Sequence, residues 1–253
     1  MRQYALIGYP LTHSFSQQFF TEKFAREHIR DARYDLFPLP DITELPRLLA
    51  ENPALCGLNV TIPHKEAVLP WLDVLDETAQ EVGAVNCIKI NDGRLTGYNT
   101  DVYGFEMSLY KTGFLTISGE PVQGFILGTG GAAKAVAYVL RKLQIPYRFV
   151  SRQPTGEDKI AYAELAQWLP YSRALIINAS PAGTFPQVEV LPPVPVDCLG
   201  PQHLVFDLVY NPPETLLLRE ARQRGCRVQN GLEMLHLQAE QAWEIWNETG
   251  ENK

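Results

Sequence analysis

The sequence predicts a two-domain α/β protein, and three observations carry this prediction. Short apolar segments alternate with amphipathic helical segments along the chain, an order typical of mostly parallel sheets covered by helices. A glycine-rich loop between a strand and a helix begins a nucleotide-binding unit near residue 125. The chain has 253 residues, 45% of them hydrophobic, which is enough for two modest cores.

The first domain is predicted over residues 1–101, with a mostly parallel sheet. Its predicted strands are Tyr4–Ile7, Tyr34–Phe37, Gly57–Thr61, Cys87–Ile90 and Arg94–Tyr98. Asn91-Asp92-Gly93 lies between the last two strands and predicts a tight hairpin. Ser16 is placed to cap the first helix, and Asp76 to cap a helix that runs to Val82.

The second domain is predicted over residues 102–231, beginning in a helix from about Val102 to Leu109 that marks the boundary. Its predicted strands are Phe125–Leu127, Tyr147–Val150, Ala174–Asn178, Leu204–Val209 and Arg227–Val228. Helices are expected after the glycine loop, around Tyr162–Trp168 and from Thr215 to Arg224. A closing helix is expected over Leu232–Trp246.

The glycine loop reads Gly128-Thr129-Gly130-Gly131-Ala132-Ala133, a G-x-G-x-x-A pattern between strand and helix. Such glycines permit a tight turn and close approach to a pyrophosphate, which the free N–H groups of the helix bind. The next strand ends at Ser151-Arg152. An acidic residue there would hold the ribose of NAD, whereas an arginine accepts the 2′-phosphate of NADP. The loop alone fits an ordinary βαβ unit as well, but its context predicts a Rossmann-like, NADP-binding domain.

Composition limits the partners. The net charge of −7 and a pI near 5.3 give no basic surface for nucleic acid or an anionic membrane. The four cysteines are scattered and predict no zinc site, and we expect no metal. No signal-peptide or membrane-spanning pattern is present, so we predict a cytoplasmic protein that acts on small molecules.

Lysine and aspartate side chains at two helix starts are the candidates for proton transfer. Lys65 follows Pro63, which suits a first helical position. The positive end of a helix dipole disfavours a cation, so a lysine at this position is unusual. Asp101 begins another helix. Taken singly, a solvated lysine and a helix-capping carboxylate explain both residues. Asn86 fits a substrate contact or a turn, and Ser14 and Ser16 fit substrate contacts or helix caps.

Several segments together resemble the shikimate dehydrogenase family, and the resemblance covers nearly the whole chain. In the first half they are Gly8-Tyr9-Pro10, His13-Ser14-Phe15-Ser16, Asn59-Val60-Thr61-Ile62-Pro63-His64-Lys65, Gly83-Ala84-Val85-Asn86 and Gly97-Tyr98-Asn99-Thr100-Asp101. In the second half they are Gly128-Thr129-Gly130-Gly131-Ala132, Asn178-Ala179-Ser180-Pro181-Ala182-Gly183, Asp207-Leu208-Val209-Tyr210-Asn211-Pro212 and Asn230-Gly231-Leu232-Glu233-Met234-Leu235 with Gln238.

The resemblance implies reversible reduction of 3-dehydroshikimate to shikimate with NADPH, on the route to chorismate and the aromatic amino acids. It implies a deep cleft between the domains, with the closing segment 232–253 completing the first domain, and a monomer or homodimer. Lys65 and Asp101 become the catalytic pair. The implied substrate contacts are Ser14, Ser16, Asn59, Thr61, Asn86, Tyr210 and Gln238. The implied cofactor contacts are Gly128, Thr129, Gly130, Gly131, Ala132, Ser151, Arg152, Ser180 and Gly231.

Three features depart from the family pattern. Gln17 replaces the usual proline, the chain is shorter after Arg152, and Gln153-Pro154 follow that arginine with Lys159 as the nearby cation. Two alternatives remain open: a quinate/shikimate dehydrogenase, which tolerates a further ring hydroxyl and often uses NAD, and a nucleotide-sensing module without turnover.

Overall fold

The computed structural model describes residues 1–11, 14–116 and 121–248. The chain divides into two units, one of Met1–Tyr103 with Gln238–Lys253 and one of Gly104–Leu237. Each unit has one six-stranded sheet. His13 and residues 249–253 of the expected closing segment lie outside the described residues. No helix in the described part of the chain is long and apolar enough to cross a membrane.

The first sheet has the strand order β2-β1-β3-β5-β6-β4. These strands are β1 (Arg2–Gly8), β2 (Ala32–Pro38), β3 (Leu55–Val60), β4 (Val74–Leu75), β5 (Cys87–Asn91) and β6 (Arg94–Tyr98). The β1–β2, β1–β3 and β4–β6 pairs are parallel, whereas β5 is antiparallel to both its neighbours. The hairpin is confirmed: Asp92 and Gly93 have φ of 50° and 79°, as a two-residue turn of this kind requires.

Five helices belong wholly or in part to the first unit, and a sixth closes it. They are α1 (Phe15–Arg26), α2 (Leu45–Glu51), α3 (His64–Ala67), α4 (Glu77–Val82) and α5 (Thr100–Lys111), with α9 (Leu232–Asn247) at the end. The cap predicted for Asp76 is confirmed, because its side chain accepts the N–H of Ala79. The cap predicted for Ser16 is wrong. Ser14 has the extended backbone of a cap and accepts the N–H of Gln17, which places Ser16 inside the first turn.

Helix α9 packs against the first sheet through aromatic side chains. Trp246 stacks on Tyr4 with ring centroids 4.8 Å apart and lies beside Phe20. Its indole N–H donates to the carbonyl of Ile88 at 3.0 Å. A Cβ at Gly57 would lie 2.3 Å from the indole nitrogen, so only glycine allows this approach. The end of the chain is thereby fixed to the first unit.

The second sheet is entirely parallel, with the strand order β12-β11-β10-β7-β8-β9. The strands are β7 (Val122–Leu127), β8 (Tyr147–Ser151), β9 (Lys159–Ala161), β10 (Arg173–Asn178), β11 (Leu204–Asp207) and β12 (Arg227–Gln229). Its helices are α6 (Gly131–Lys142), α7 (Leu165–Trp168) and α8 (Leu216–Gln223). The described residues also form 3₁₀ helices at Ile42–Glu44, Leu69–Trp71, Tyr162–Glu164, Leu169–Tyr171 and Val196–Cys198.

The central strands β7, β10 and β11 of the second sheet are largely buried, which explains why they read as mostly apolar runs. Phe125, Ile126 and Leu127 of β7 are fully buried, as are Leu175 and Ile176 of β10. Two polar side chains of this sheet are nevertheless fully buried, Asn178 and Asp207, and they lie at the carboxyl ends of β10 and β11. That edge is where ligands bind in open α/β sheets.

Candidate active site

Lys65 and Asp101 form an ion pair in the first unit. Lys65 lies in the four-residue helix α3 that follows β3, and Asp101 lies in the first turn of α5. The Lys65 Nζ to Asp101 Oδ2 distance is 2.5 Å, with 19% of the lysine and 9% of the aspartate side chain exposed. Pro63 precedes α3 as its cap, so the first helical position expected for it is wrong by one residue. The residue types suggest a Lys65–Asp101 pair only as a hypothesis, and the structure places the two side chains in contact.

The amide of Asn86 holds the Asp101 carboxylate from the other side. Asn86 Nδ2 donates to Asp101 Oδ1 at 2.9 Å and to the Thr100 hydroxyl at 3.0 Å. The Thr100 N–H donates to Asn86 Oδ1 at 2.7 Å. Gln238 of α9 is 7% exposed, and its Oε1 lies 3.5 Å from Asn86 Nδ2 and 3.4 Å from the Thr100 hydroxyl. Four separate chain segments thus meet at the pair.

A second group of polar side chains joins this site through the backbone of Asn86. Asn59 Nδ2 donates to the Asn86 carbonyl at 3.3 Å. The phenol of Tyr34 donates to Asn59 Oδ1 at 2.7 Å. Burial raises the pKa of Tyr34 well above its usual range, while a hydrogen bond with Ser16 opposes this, so the phenol stays protonated. Ser16, Asn59, Asn86 and Asp101 are therefore brought together, and Tyr34 is the link that sequence reasoning missed.

The other predicted substrate residues have different surroundings. Ser14 caps α1 through its hydroxyl oxygen. Thr61 is half-buried at the end of β3, and a Cβ at Gly8 would lie 2.4 Å from its Cγ2. Tyr210 belongs to the second unit, and burial raises its pKa. The substrate contacts expected of these three side chains stay predictions.

The first-unit site has the groups for proton transfer and for binding several hydroxyls. Lys65 Nζ can give or take a proton, and Asp101 holds the ammonium. The amides of Asn59, Asn86 and Gln238 supply both donors and acceptors. Among the residues that the structure describes, His, Cys, Asp and Glu side chains form no group of three suited to hold a metal ion.

The glycine loop of the second unit has the geometry of a phosphate cradle. Gly128 has a φ of 110°, and a Cβ there would lie 3.2 Å from the carbonyl oxygen of Ala179. Gly130 caps the twelve-residue helix α6 and faces open space. Thr129 is exposed, while Gly131 and Ala132 are half-buried in the first turn. The loop therefore combines room for a ligand with free N–H groups at a helix start, which fits a dinucleotide pyrophosphate.

Arg152 lies beyond the end of β8, where a cavity of about 350 Å³ opens. The cavity is lined by Arg152, Tyr162 and Ser180, with Phe185 and Leu191 on its apolar side. An exposed guanidinium beside an apolar pocket fits the phosphorylated adenosine of NADP. The Ser151 hydroxyl accepts the N–H of Gln153 at 3.2 Å, so it fixes the turn that presents Arg152.

Gly231 is explained by packing. A Cβ at this position would lie 2.0 Å from the carbonyl oxygen of Leu208, and its N–H donates to the carbonyl of Val209 at 3.1 Å. Only a glycine allows this approach of two backbones. The cofactor contact expected of Gly231 stays a prediction.

Comparison with known proteins gives the family. A family model described as the shikimate dehydrogenase substrate binding domain matches residues 6–88. The shikimate dehydrogenase (NADP(+)) of Geobacillus kaustophilus is 39% identical, covering 96% of this chain and 91% of that protein. The chain belongs to the shikimate dehydrogenase family. The resemblance proposed from the sequence motifs is thereby confirmed.

Solved structures of the shikimate dehydrogenase family extend the likeness to the fold. The Thermus thermophilus enzyme in complex with NADP(H) and shikimate is 33% identical, with a TM-score of 0.83, covering 98% of this chain and 94% of that one. A quinate dehydrogenase from Corynebacterium glutamicum in complex with NAD is 28% identical, with a TM-score of 0.85, covering 97% and 93%. The predicted α/β fold with parallel-rich sheets is confirmed.

Proposed function

We propose that this chain is an NADP-dependent shikimate dehydrogenase that interconverts 3-dehydroshikimate and shikimate, within the biosynthesis of aromatic amino acids. The Lys65–Asp101 pair carries the proposal. An ammonium held at 2.5 Å from a carboxylate, with a second donor on that carboxylate, is a preorganised group for proton transfer. It occurs in a chain whose relatives bear this enzyme's name.

Proton transfer is assigned to Lys65. In reduction its Nζ donates a proton to the oxygen of the carbonyl that becomes an alcohol. In oxidation the neutral amine accepts the proton of the same hydroxyl. Asp101 orients the amine, and Asn86 holds Asp101 in place. Because the carboxylate has two separate partners, its position does not depend on the lysine alone.

The amide and hydroxyl groups around the pair are assigned to the substrate ring. Asn86, Gln238 and Asn59 can bond ring hydroxyls. Ser14, Ser16, Thr61 and Tyr210 complete the proposed set. A site that hydrogen-bonds several hydroxyls rejects an analogue that lacks one, because the buried polar partners are then left unpaired. Selectivity for a polyhydroxylated ring follows from this composition.

The second unit is assigned to NADP, with domain roles as the sequence predicts: residues 1–101 and the closing helix for substrate, and 102–231 for cofactor. When bound, NADPH supplies the hydride in reduction and NADP⁺ accepts it in oxidation. Gly128 to Ala132 would hold the pyrophosphate. Arg152 would pair with the 2′-phosphate, and Ser180 and Gly231 complete the proposed contacts.

Turnover tests the proposal. The purified chain, given shikimate and NADP⁺, should form NADPH and 3-dehydroshikimate in equal amounts, and Lys65→Ala should abolish most of this. Binding of both ligands without any NADPH formation would favour a nucleotide-sensing module instead.

Quinate oxidation with NAD⁺ is the second candidate. The likeness to a quinate dehydrogenase bound to NAD favours it, as does Gln153 beside Arg152 where a second cation would strengthen phosphate binding. Arg152 itself favours NADP, because NAD presents no phosphate at that position. We therefore place shikimate and NADP first.

We also propose that the chain works in the cytoplasm on small molecules alone, as a monomer or homodimer. The net charge of −7 gives no surface for nucleic acid. Light scattering behind size-exclusion chromatography distinguishes the two oligomeric states, and a larger assembly would contradict the proposal.

A further inference from the structure

A buried carboxylate at the end of β11 has no part in the function proposed so far. Asp207 is fully buried. Its Oδ1 accepts the N–H of Val209 at 3.0 Å and Asn178 Nδ2 at 2.9 Å, and its Oδ2 accepts the Thr215 hydroxyl at 2.6 Å. Burial raises the pKa of Asp207 to about 6, although these three donors oppose the rise. At neutral pH it is therefore an anion held by three neutral donors.

The carboxylate reaches the cofactor side of the unit through Asn178, which ends the neighbouring strand β10 and is also fully buried. Asn178 Oδ1 accepts the hydroxyl of Ser180 at 2.6 Å and its N–H at 3.1 Å. The same side chain donates from Nδ2 to the Ala182 carbonyl at 3.2 Å. One amide thus fixes the turn from Ser180 to Ala182, and its orientation is set by Asp207, which accepts its N–H.

That turn forms part of the proposed cofactor site. Ser180 and Ala182 line the cavity beside Arg152. The backbone of Ala179 and Ser180 packs against Gly128, where a Cβ would lie 3.2 Å from one and 3.4 Å from the other. A shift of the turn would therefore change both the cavity wall and the support of the glycine loop.

We propose that Asp207 is a positioning residue for NADP binding, because it orients Asn178 and thereby the Ser180 turn that lines the cofactor cavity. The proposal rests on the assignment of this cavity to the cofactor. On the opposite side of Asp207, Thr215 caps α8 with the same hydroxyl, which accepts the N–H of Leu218 at 3.4 Å. The contact of Asp207 with Asn178 thus serves the proposed cofactor site, whereas its contact with Thr215 serves the start of α8.

The test compares variants on the two sides. Asp207→Ala should raise the KM for NADP⁺ and the Kd for NADPH about tenfold, the factor expected when a hydrogen-bonded group loses its orientation, with kcat and the KM for shikimate little changed. Asp207→Asn should restore most of the affinity, because its carbonyl oxygen still accepts from Asn178 and Val209. Thr215→Val should lower stability without raising the KM for NADP⁺. If Thr215→Val and Asp207→Ala raise this KM equally, Asp207 is merely structural and the proposal fails.

A second variant covers the case in which Asp207→Ala does not fold. Asn178→Asp keeps the side-chain shape and the acceptors for Ser180, but places a second carboxyl beside Asp207. Its Kd for NADPH, relative to wild type at the same pH, should fall as the pH is lowered and the two carboxyls share a proton. An unchanged ratio at all pH values would overturn the proposal. Calorimetric titration with NADPH needs no turnover, so this result stands even if shikimate is not the substrate.

Discussion

Removal of the Lys65 ammonium should lower kcat far more than it raises the KM for shikimate. In Lys65→Ala the group that exchanges the proton is lost, and positioned general acid–base catalysis contributes about 10²- to 10⁴-fold in rate. This range corresponds to about 3–5 kcal/mol in the activation barrier. The amides of Asn86 and Gln238 keep their place, so binding of the ring hydroxyls should change by only a few-fold. A loss made mainly in the transition state appears in kcat.

The same substitution has a calculable effect on folding. Asp101, with 9% of its side chain exposed, loses the ammonium at 2.5 Å but keeps the Asn86 amide at 2.9 Å. A buried group that loses one partner costs about 1–3 kcal/mol, which a domain of ordinary stability tolerates. Lys65→Ala should therefore fold, with a reduced Tm.

The assay is NADPH formation at saturating NADP⁺ over a range of shikimate concentrations, with thermal unfolding of the same sample. Lys89→Ala is the matched control, because Lys89 is in the same unit and donates to the backbone carbonyl of Glu248. The control should keep kcat within about twofold of wild type, which is a change of less than 0.5 kcal/mol in the barrier. A Lys65→Ala enzyme with a near-normal kcat would refute the assignment of proton transfer to Lys65.

Three further predictions concern the cofactor, the buried carboxyl and the substrate network. Arg152→Ala should raise the KM for NADP⁺ at least tenfold and leave the KM for NAD⁺ unchanged. A tenfold change corresponds to about 1.4 kcal/mol, which the loss of one charge-assisted contact supplies. Equal effects on both cofactors, or the same effect in the control variant Arg148→Ala, would contradict this prediction. The pKa of Asp207, raised from 3.8 to about 6, means that the folded state binds this proton more tightly. The contribution of this proton to stability is therefore full below about pH 4 and is lost as the pH rises through about 6. In urea titrations, the unfolding free energy of wild type relative to Asp207→Asn should fall by about 1 kcal/mol between about pH 5 and about pH 7. A difference that is constant with pH would contradict the raised pKa. Tyr34→Phe should lower the unfolding free energy by about 1–3 kcal/mol and raise the KM for shikimate, because it removes the phenol that donates to Asn59 Oδ1. An unchanged KM would contradict the assignment of Asn59 to the substrate.

Local features of the fold could be predicted where the residue type dictates the backbone. Asp92 and Gly93 tolerate positive φ, so the hairpin between β5 and β6 followed from three residues. The glycine loop followed in the same way, since the φ of 110° at Gly128 excludes other residues. The N-cap of α1 could not be predicted in this way, because Ser14 and Ser16 can both cap a helix and the residue types do not distinguish them. The extended backbone of Ser14 makes it the cap.

Two short strands and the contacts between distant residues could not be predicted from the sequence. The two-residue strand β4 and the three-residue strand β9 are too short to show a period. Each pairs with one neighbour at the edge of its sheet, which the sequence around it does not reveal. The Asp207–Asn178 contact joins residues 29 positions apart. A buried carboxylate is unfavourable unless donors surround it, and nothing local to Asp207 predicts that β10 supplies one. Tyr34 was missed for the same reason, since its partner Asn59 is 25 positions away.

We propose that the Lys65–Asp101 site oxidises shikimate with NADP⁺. One series on a single preparation tests this, with kcat/KM measured for shikimate and for quinate, each with NADP⁺ and with NAD⁺. We expect the highest kcat/KM for shikimate with NADP⁺. Faster turnover of quinate with NAD⁺ would contradict it.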